Sequence, residues 1–85
     1  MKNKKKEILK KIQPIFYKVF DNKKLRINYI SSTKTIKQWD SLAQINLVVS
    51  IEKLLRIKFS VSELASLKNV GEMIDSILVK NNEKL

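Results

Sequence analysis

Apolar positions recur at helical spacing in three stretches of this chain, separated by segments with no sustained period. Ile8, Ile12, Ile15 and Val19, flanked by Leu9, Phe16 and Phe20, step by three and four residues. They predict a first helix with Lys10, Lys11 and Lys18 turned outward. Pro14 lies inside it, where proline removes a backbone hydrogen bond at a cost of about 3 kcal/mol, so a kink or a break is expected there. Residues 21–40 are rich in Asn, Ser, Thr and Lys and form a long connection. Leu25, Ile27, Ile30 and Ile36 are its candidate anchors across a core, and Trp39 closes it.

A second helix is expected from about Asp40 to Leu55, because the Asp40 carboxylate can accept from the free N–H groups of a first turn. On its wheel Ala43, Asn46, Ser50 and Lys53 fall on a narrow stripe of small or polar side chains. Leu42, Ile45, Leu47, Val48, Val49, Ile51, Leu54 and Leu55 take most of the rest, apart from Gln44 and Glu52. A helix this apolar is either central or shows apolar surface to a partner. Ser60 and Glu63 have the spacing of a capping box and open a short third helix ending near Ser66. Asn69 followed by Glu72 repeats that logic and opens a last helix, with Val70, Met73, Ile74, Ile77 and Leu78 as its core stripe. Residues 1–6 and 80–85 read as frayed termini of one 85-residue domain.

Composition narrows the class. One Gly and one Pro argue against an all-β chain, so the fold expected is a small all-α bundle of three main helices and a short third one. With no Cys and no His there is no disulfide, no Cys or His metal site, no thiol nucleophile and no Ser–His pair. No apolar run is long enough to span a membrane, and Lys10 and Lys11 interrupt any signal-peptide core, so a cytoplasmic location is expected. The net charge of +10 is unevenly placed: residues 1–40 hold 12 Lys/Arg against 3 Asp/Glu, and residues 41–85 hold 6 against 5. Such a charge invites a nucleic-acid partner. The basic excess, however, lies in the N-terminal run and the first helix, and residues 21–40 are too long for a helix-turn-helix connection. A membrane-surface role for the first helix is also compatible with this charge.

The segment Trp39-Asp40-Ser41-Leu42 resembles the attachment motif of acyl and peptidyl carrier proteins. The likeness continues through Ile45, Leu47, Val48, Ile51, Glu52, Ile57-Lys58-Phe59, Ser62-Glu63-Leu64 and Val70-Gly71-Glu72-Met73-Ile74, nearly the whole chain. The resemblance implies a four-helix carrier that is not itself an enzyme. Its Ser41 would receive 4′-phosphopantetheine from coenzyme A through a phosphopantetheinyl transferase, and the arm would then hold an acyl or aminoacyl thioester. Asp40 would help the transferase hold its metal ion and substrate, and Leu42 would be an apolar contact. Other implied partners are a loading enzyme and a downstream acyltransferase or synthase, with the chain itself a monomer. The second helix supplies the partner-contact residues expected here: Leu42, Ala43, Asn46, Val49, Ser50 and Lys53.

The alternative to attachment is that Asp40 and Ser41 serve only as a helix cap, leaving an unmodified carrier-like scaffold. Trp39 reads as a packing residue that staples the chain as it enters the helix, with a place beside the arm as its other option. Ser31, Ser32 and Ser50 read as loop or helix-surface residues without chemistry. One departure from the family stands out. Carriers of this type are usually acidic along the second helix, whereas the stripe here has no carboxylate and ends in Lys53. A specialised biosynthetic pathway with its own partner enzymes is the expectation that follows.

Overall fold

The computed structural model describes residues 4–83, which form α1 (Lys4–Val19), α2 (Ser41–Leu55), α3 (Val61–Ser66) and α4 (Val70–Glu83). Among the described residues the only β pairing is an isolated bridge between Ser32 and Asn69. α1 packs against both α2 and α4. Its buried face is Ile8, Ile12 and Phe16, with Ile15 and Val19 packed at the margin. Leu47, Val48 and Ile51 of α2 and Val70, Met73, Ile74 and Ile77 of α4 meet that face. Full burial of side chains this size contributes about 1.5–3 kcal/mol each, which makes this shared apolar core the main source of cohesion.

Pro14 does not split the first helix. α1 runs through it unbroken, with the proline ring exposed on the outer side. Lys4–Lys6 and residues 80–83, read from the sequence as frayed ends, lie within α1 and α4. The remainder of that reading, residues 1–3 and 84–85, falls outside the described residues.

The long connection is held by hydrogen bonds as much as by apolar anchors. Gln13 of α1 donates from Nε2 to the Leu25 carbonyl at 2.9 Å and accepts from the Ile27 N–H at 3.0 Å. Both of that amide's groups are thereby spent on the connection. Leu25 packs at the core margin, and Ile27, Ile36 and Trp39 are buried. Further along, the Tyr29 and Ser31 carbonyls accept from the Gly71 and Val70 N–H groups at 2.9 and 2.8 Å. The first N–H groups of a helix have no partner inside it, so the loop here satisfies two that α4 leaves open. Asn69 Oδ1 takes a third, from Glu72 N–H at 2.7 Å.

This arrangement corrects one expectation. Ile30 is 80% exposed and anchors nothing. Carbonyl bonding of Tyr29 and Ser31 to α4 fixes a turn between them, and the Ile30 N–H is taken by Asn28 Oδ1, so its side chain points outward. Ser31 goes inward in its place, its hydroxyl accepting from the Asn28 N–H at 2.9 Å.

Candidate functional site

Asp40 is the N-cap of α2. Its backbone is extended, and its Oδ1 accepts from the Ala43 N–H at 2.9 Å. A cap of this kind is worth about 1 kcal/mol relative to Ala. Ser41 is therefore the first residue of the helix proper. It is exposed, and its hydroxyl makes no hydrogen bond among the described residues.

The approach to Ser41 is rigidly built. Trp39 is buried, edge-on to Phe16 with ring centroids 5.4 Å apart and to Phe20 at 6.4 Å. Its indole N–H donates to Gln44 Oε1 at 2.6 Å, and Gln44 Nε2 donates to the Leu67 carbonyl at 2.9 Å. Gln44 thus ties the first turn of α2 both to the residue preceding its cap and to the link between α3 and α4. Trp39 is a packing residue, as its position before the helix implies, and part of it also lines a groove of about 460 Å³ beside Ser41. Thr33, Ile45, Leu64 and Lys68 form other parts of that groove. The sequence carried no signal for Gln44, which is an isolated polar exception on the apolar wheel.

Beyond Ser41 the outer face of α2 is apolar. Leu42 is 67%, Ile45 59% and Val49 41% exposed. Asn46 and Lys53 are exposed beside them. Ala43 belongs to the core instead, which removes it from the residues a partner could touch. The Asp40 cap holds its N–H, and its small side chain faces inward as part of the buried core. Ser50 is half-buried, in a recess shared with Ile15 and Lys18 of α1. Ile45 and Leu54 are exposed apolar residues that the stripe of small and polar positions did not single out.

α2 ends at Arg56, whose backbone is left-handed at φ 55° and whose N–H returns to the Glu52 carbonyl. The Glu52 carboxylate accepts from the Phe59 N–H at 2.9 Å and is committed to the turn that follows. Next along, the Ser60–Glu63 capping box is formed in both directions. Glu63 also pairs with Lys80 at 2.8 Å. The Lys80 ammonium, and then the Ser60 N–H, hold its carboxyl down to about 2 from an ordinary 4.5.

In structure the chain is similar to a holo acyl carrier protein from Geobacter metallireducens, with a TM-score of 0.82 and 41% sequence identity. The likeness covers 89% of this chain and 87% of that one. The chain belongs to the acyl carrier protein family. No family model matches the sequence, and no curated protein does. As an acyl carrier protein it serves as a carrier and not as an enzyme. The family's four-helix bundle is the fold expected from the sequence, and no helix among the described residues is long and apolar enough to cross a membrane.

Proposed function

We propose that this acyl carrier protein bears 4′-phosphopantetheine on Ser41 and presents an acyl or aminoacyl group to enzymes of a specialised biosynthetic pathway in the cytoplasm. The observation that carries the reading is the state of Ser41: exposed, unbonded and first in a capped helix. The surroundings fit the group. A phosphodiester on Ser41 would stand at the positive end of α2, worth about 0.3–1 kcal/mol to an exposed anion. The groove beside it has apolar walls in Trp39, Ile45 and Leu64 for the arm's body and an ammonium at Lys68 on its rim. When bound, the arm supplies a terminal thiol, which this cysteine-free chain lacks, for holding cargo as a thioester.

The chain's own part is positional. With no histidine in the sequence, Ser41 has no imidazole to take its proton, so the transferase must supply the base. Asp40 stays on the helix cap with one oxygen and leaves the other to the transferase's metal ion. Leu42, fixed by the same first turn, offers that enzyme an apolar contact. Trp39 and Gln44 keep the turn from moving as partners come and go.

The test is intact mass after incubation with coenzyme A and a broad-specificity phosphopantetheinyl transferase, beside Ser41→Ala. The wild type alone gains one phosphopantetheine. If neither protein changes, and protein from its native host is unmodified too, the chain is a carrier-like scaffold.

A further inference from the structure

The end of α2 remote from Ser41 differs in chemistry from the end that bears it. Leu42, Ile45, Val49 and Lys53 follow one another at three- and four-residue steps and share one face of the helix, and Arg56, the left-handed C-cap, follows at its end. The face is apolar for its first half and cationic for its second. At a rise of 1.5 Å per residue, Lys53 stands about 18 Å along the axis from Ser41.

Around that cationic end the surface is hollowed on both sides. A recess of about 580 Å³ lies between α2 and the segment after it, lined by Val49, Lys53, Arg56, Ile57 and Lys58. A second, of about 360 Å³, lies toward α1 with Lys18 and Leu54 on its walls. Lys53 belongs to both. Lys53, Arg56 and Lys58 are exposed and make no ion pair among the described residues. The carboxylate in the first recess, Glu52, is bonded to the Phe59 N–H, and Lys80 at its edge is paired with Glu63. Apolar surface at Val49 and Ile57 in the first recess and at Leu54 in the second is thus bordered by Lys53, Arg56 and Lys58, whose three positive charges outweigh the single negative charge of Glu52.

We infer that this end of α2, from Val49 to Lys58, is a docking surface for a partner protein whose own contact surface is acidic and apolar. The inference rests on the carrier reading for its purpose: apolar contact near Ser41 aligns the attachment point, and charge at the far end sets which partner docks. Charge complementarity selects the occupant, since a basic partner meets like charge here and is repelled. The two recesses favour a protein over a lipid surface. Projecting side chains fill concavities of this size, whereas a headgroup plane passes over them.

The probe is an amidated 16-residue helical peptide with Leu along one face and Glu along the other, titrated into the 15N-labelled full chain. Its controls are the same peptide with Lys for Glu, and vesicles of phosphatidylglycerol and phosphatidylcholine. The Glu peptide is expected to shift the amides of Val49, Lys53, Leu54, Arg56 and Lys58. Its Kd should weaken about tenfold in Lys53→Glu with Lys58→Glu and stay within about twofold in Lys10→Glu with Lys11→Glu, which carries the same change of net charge. Equal loss in the two charge-reversed pairs, equal binding of the Lys peptide, or shifts confined to α1 would overturn the inference. So would vesicles that shift these amides while the Glu peptide does not, which would make this a lipid-facing surface. Ser41→Ala is expected to bind the peptide as the wild type does, so failure here and failure of arm attachment are separate results.

Discussion

The indole N–H of Trp39 and the side-chain oxygen of Gln44 lie 2.6 Å apart across the cap of α2, and the same amide reaches the Leu67 carbonyl at 2.9 Å. One side chain therefore couples the loop before Ser41, the helix that begins at Ser41 and the link into α4. Replacing it with Leu keeps the volume and strands an indole donor and a carbonyl. A buried group left without its partner costs about 1–3 kcal/mol, so Gln44→Leu should lose stability in that range on urea unfolding. Trp39 fluorescence should shift to longer wavelength before the global transition. Coincident fluorescence and circular-dichroism transitions would show that Gln44 does not hold the loop separately.

Gly71 is expected to refuse even alanine. A Cβ there would stand 2.8 Å from the Tyr29 carbonyl oxygen, a backbone atom held in place by the Gly71 N–H itself at 2.9 Å. Helix propensity favours Ala over Gly by about 1 kcal/mol, but crowding a packed site costs about 1–3 kcal/mol. The backbone atom cannot swing aside as a flexible side chain would, so the clash prevails. Gly71→Ala should lower Tm, and a rise would show that the loop yields.

Asp40 caps α2, and substitution separates that role from the one proposed for it in arm transfer. Asn retains a capping oxygen for the Ala43 N–H, whereas Ala removes it at about 1 kcal/mol. Thermal unfolding should place Asp40→Asn close to the wild type and Asp40→Ala below it. Arm transfer to Ser41, followed by mass, should slow in both. An Asn variant modified at the wild-type rate would reduce Asp40 to a cap.

The Glu63 carboxyl yields a pH window. Its folded value is lowered to about 2 from 4.5, so its contribution to stability is fully present above the unfolded value. That contribution declines as pH falls below 4.5 and is gone once pH passes below about 2. The slope of unfolding free energy against pH in this interval should be shallower in Glu63→Gln than in the wild type. Identical slopes would mean that Lys80 and Ser60 do not hold the carboxylate in solution.

How far the sequence spoke depends on the range of each interaction. The caps at Asp40, Ser60 and Asn69 were legible because cap and partner lie three residues apart, within one turn of chain. The core stripes of α1 and α4 were legible because burial follows helical period. Gln13 and Gln44 were not, since their partners lie 12 and 23 residues away and a polar residue on an apolar wheel carries no address. Ile30 and Ala43 failed for a related reason. An apolar loop residue reads as an anchor until a tertiary bond fixes its turn, and a small residue reads as surface until a neighbour covers it. Pro14 shows the same limit in reverse, because the packing of α1 against two helices overrides a local penalty.

The bonds from Tyr29 and Ser31 to Gly71 and Val70 also set a sequence of events during synthesis. Each spans about forty residues, and closing so long a loop must precede the contacts that reward it. Gln44 waits likewise for Leu67. A nascent chain that has exposed Ser41 but not yet Val70 lacks the partners that seat the loop and tie down the first turn of α2. Ser41 thus leaves the ribosome before it has the setting in which a transferase would meet it. A transferase that needs the folded site would therefore act on Ser41 only after the fourth helix has arrived.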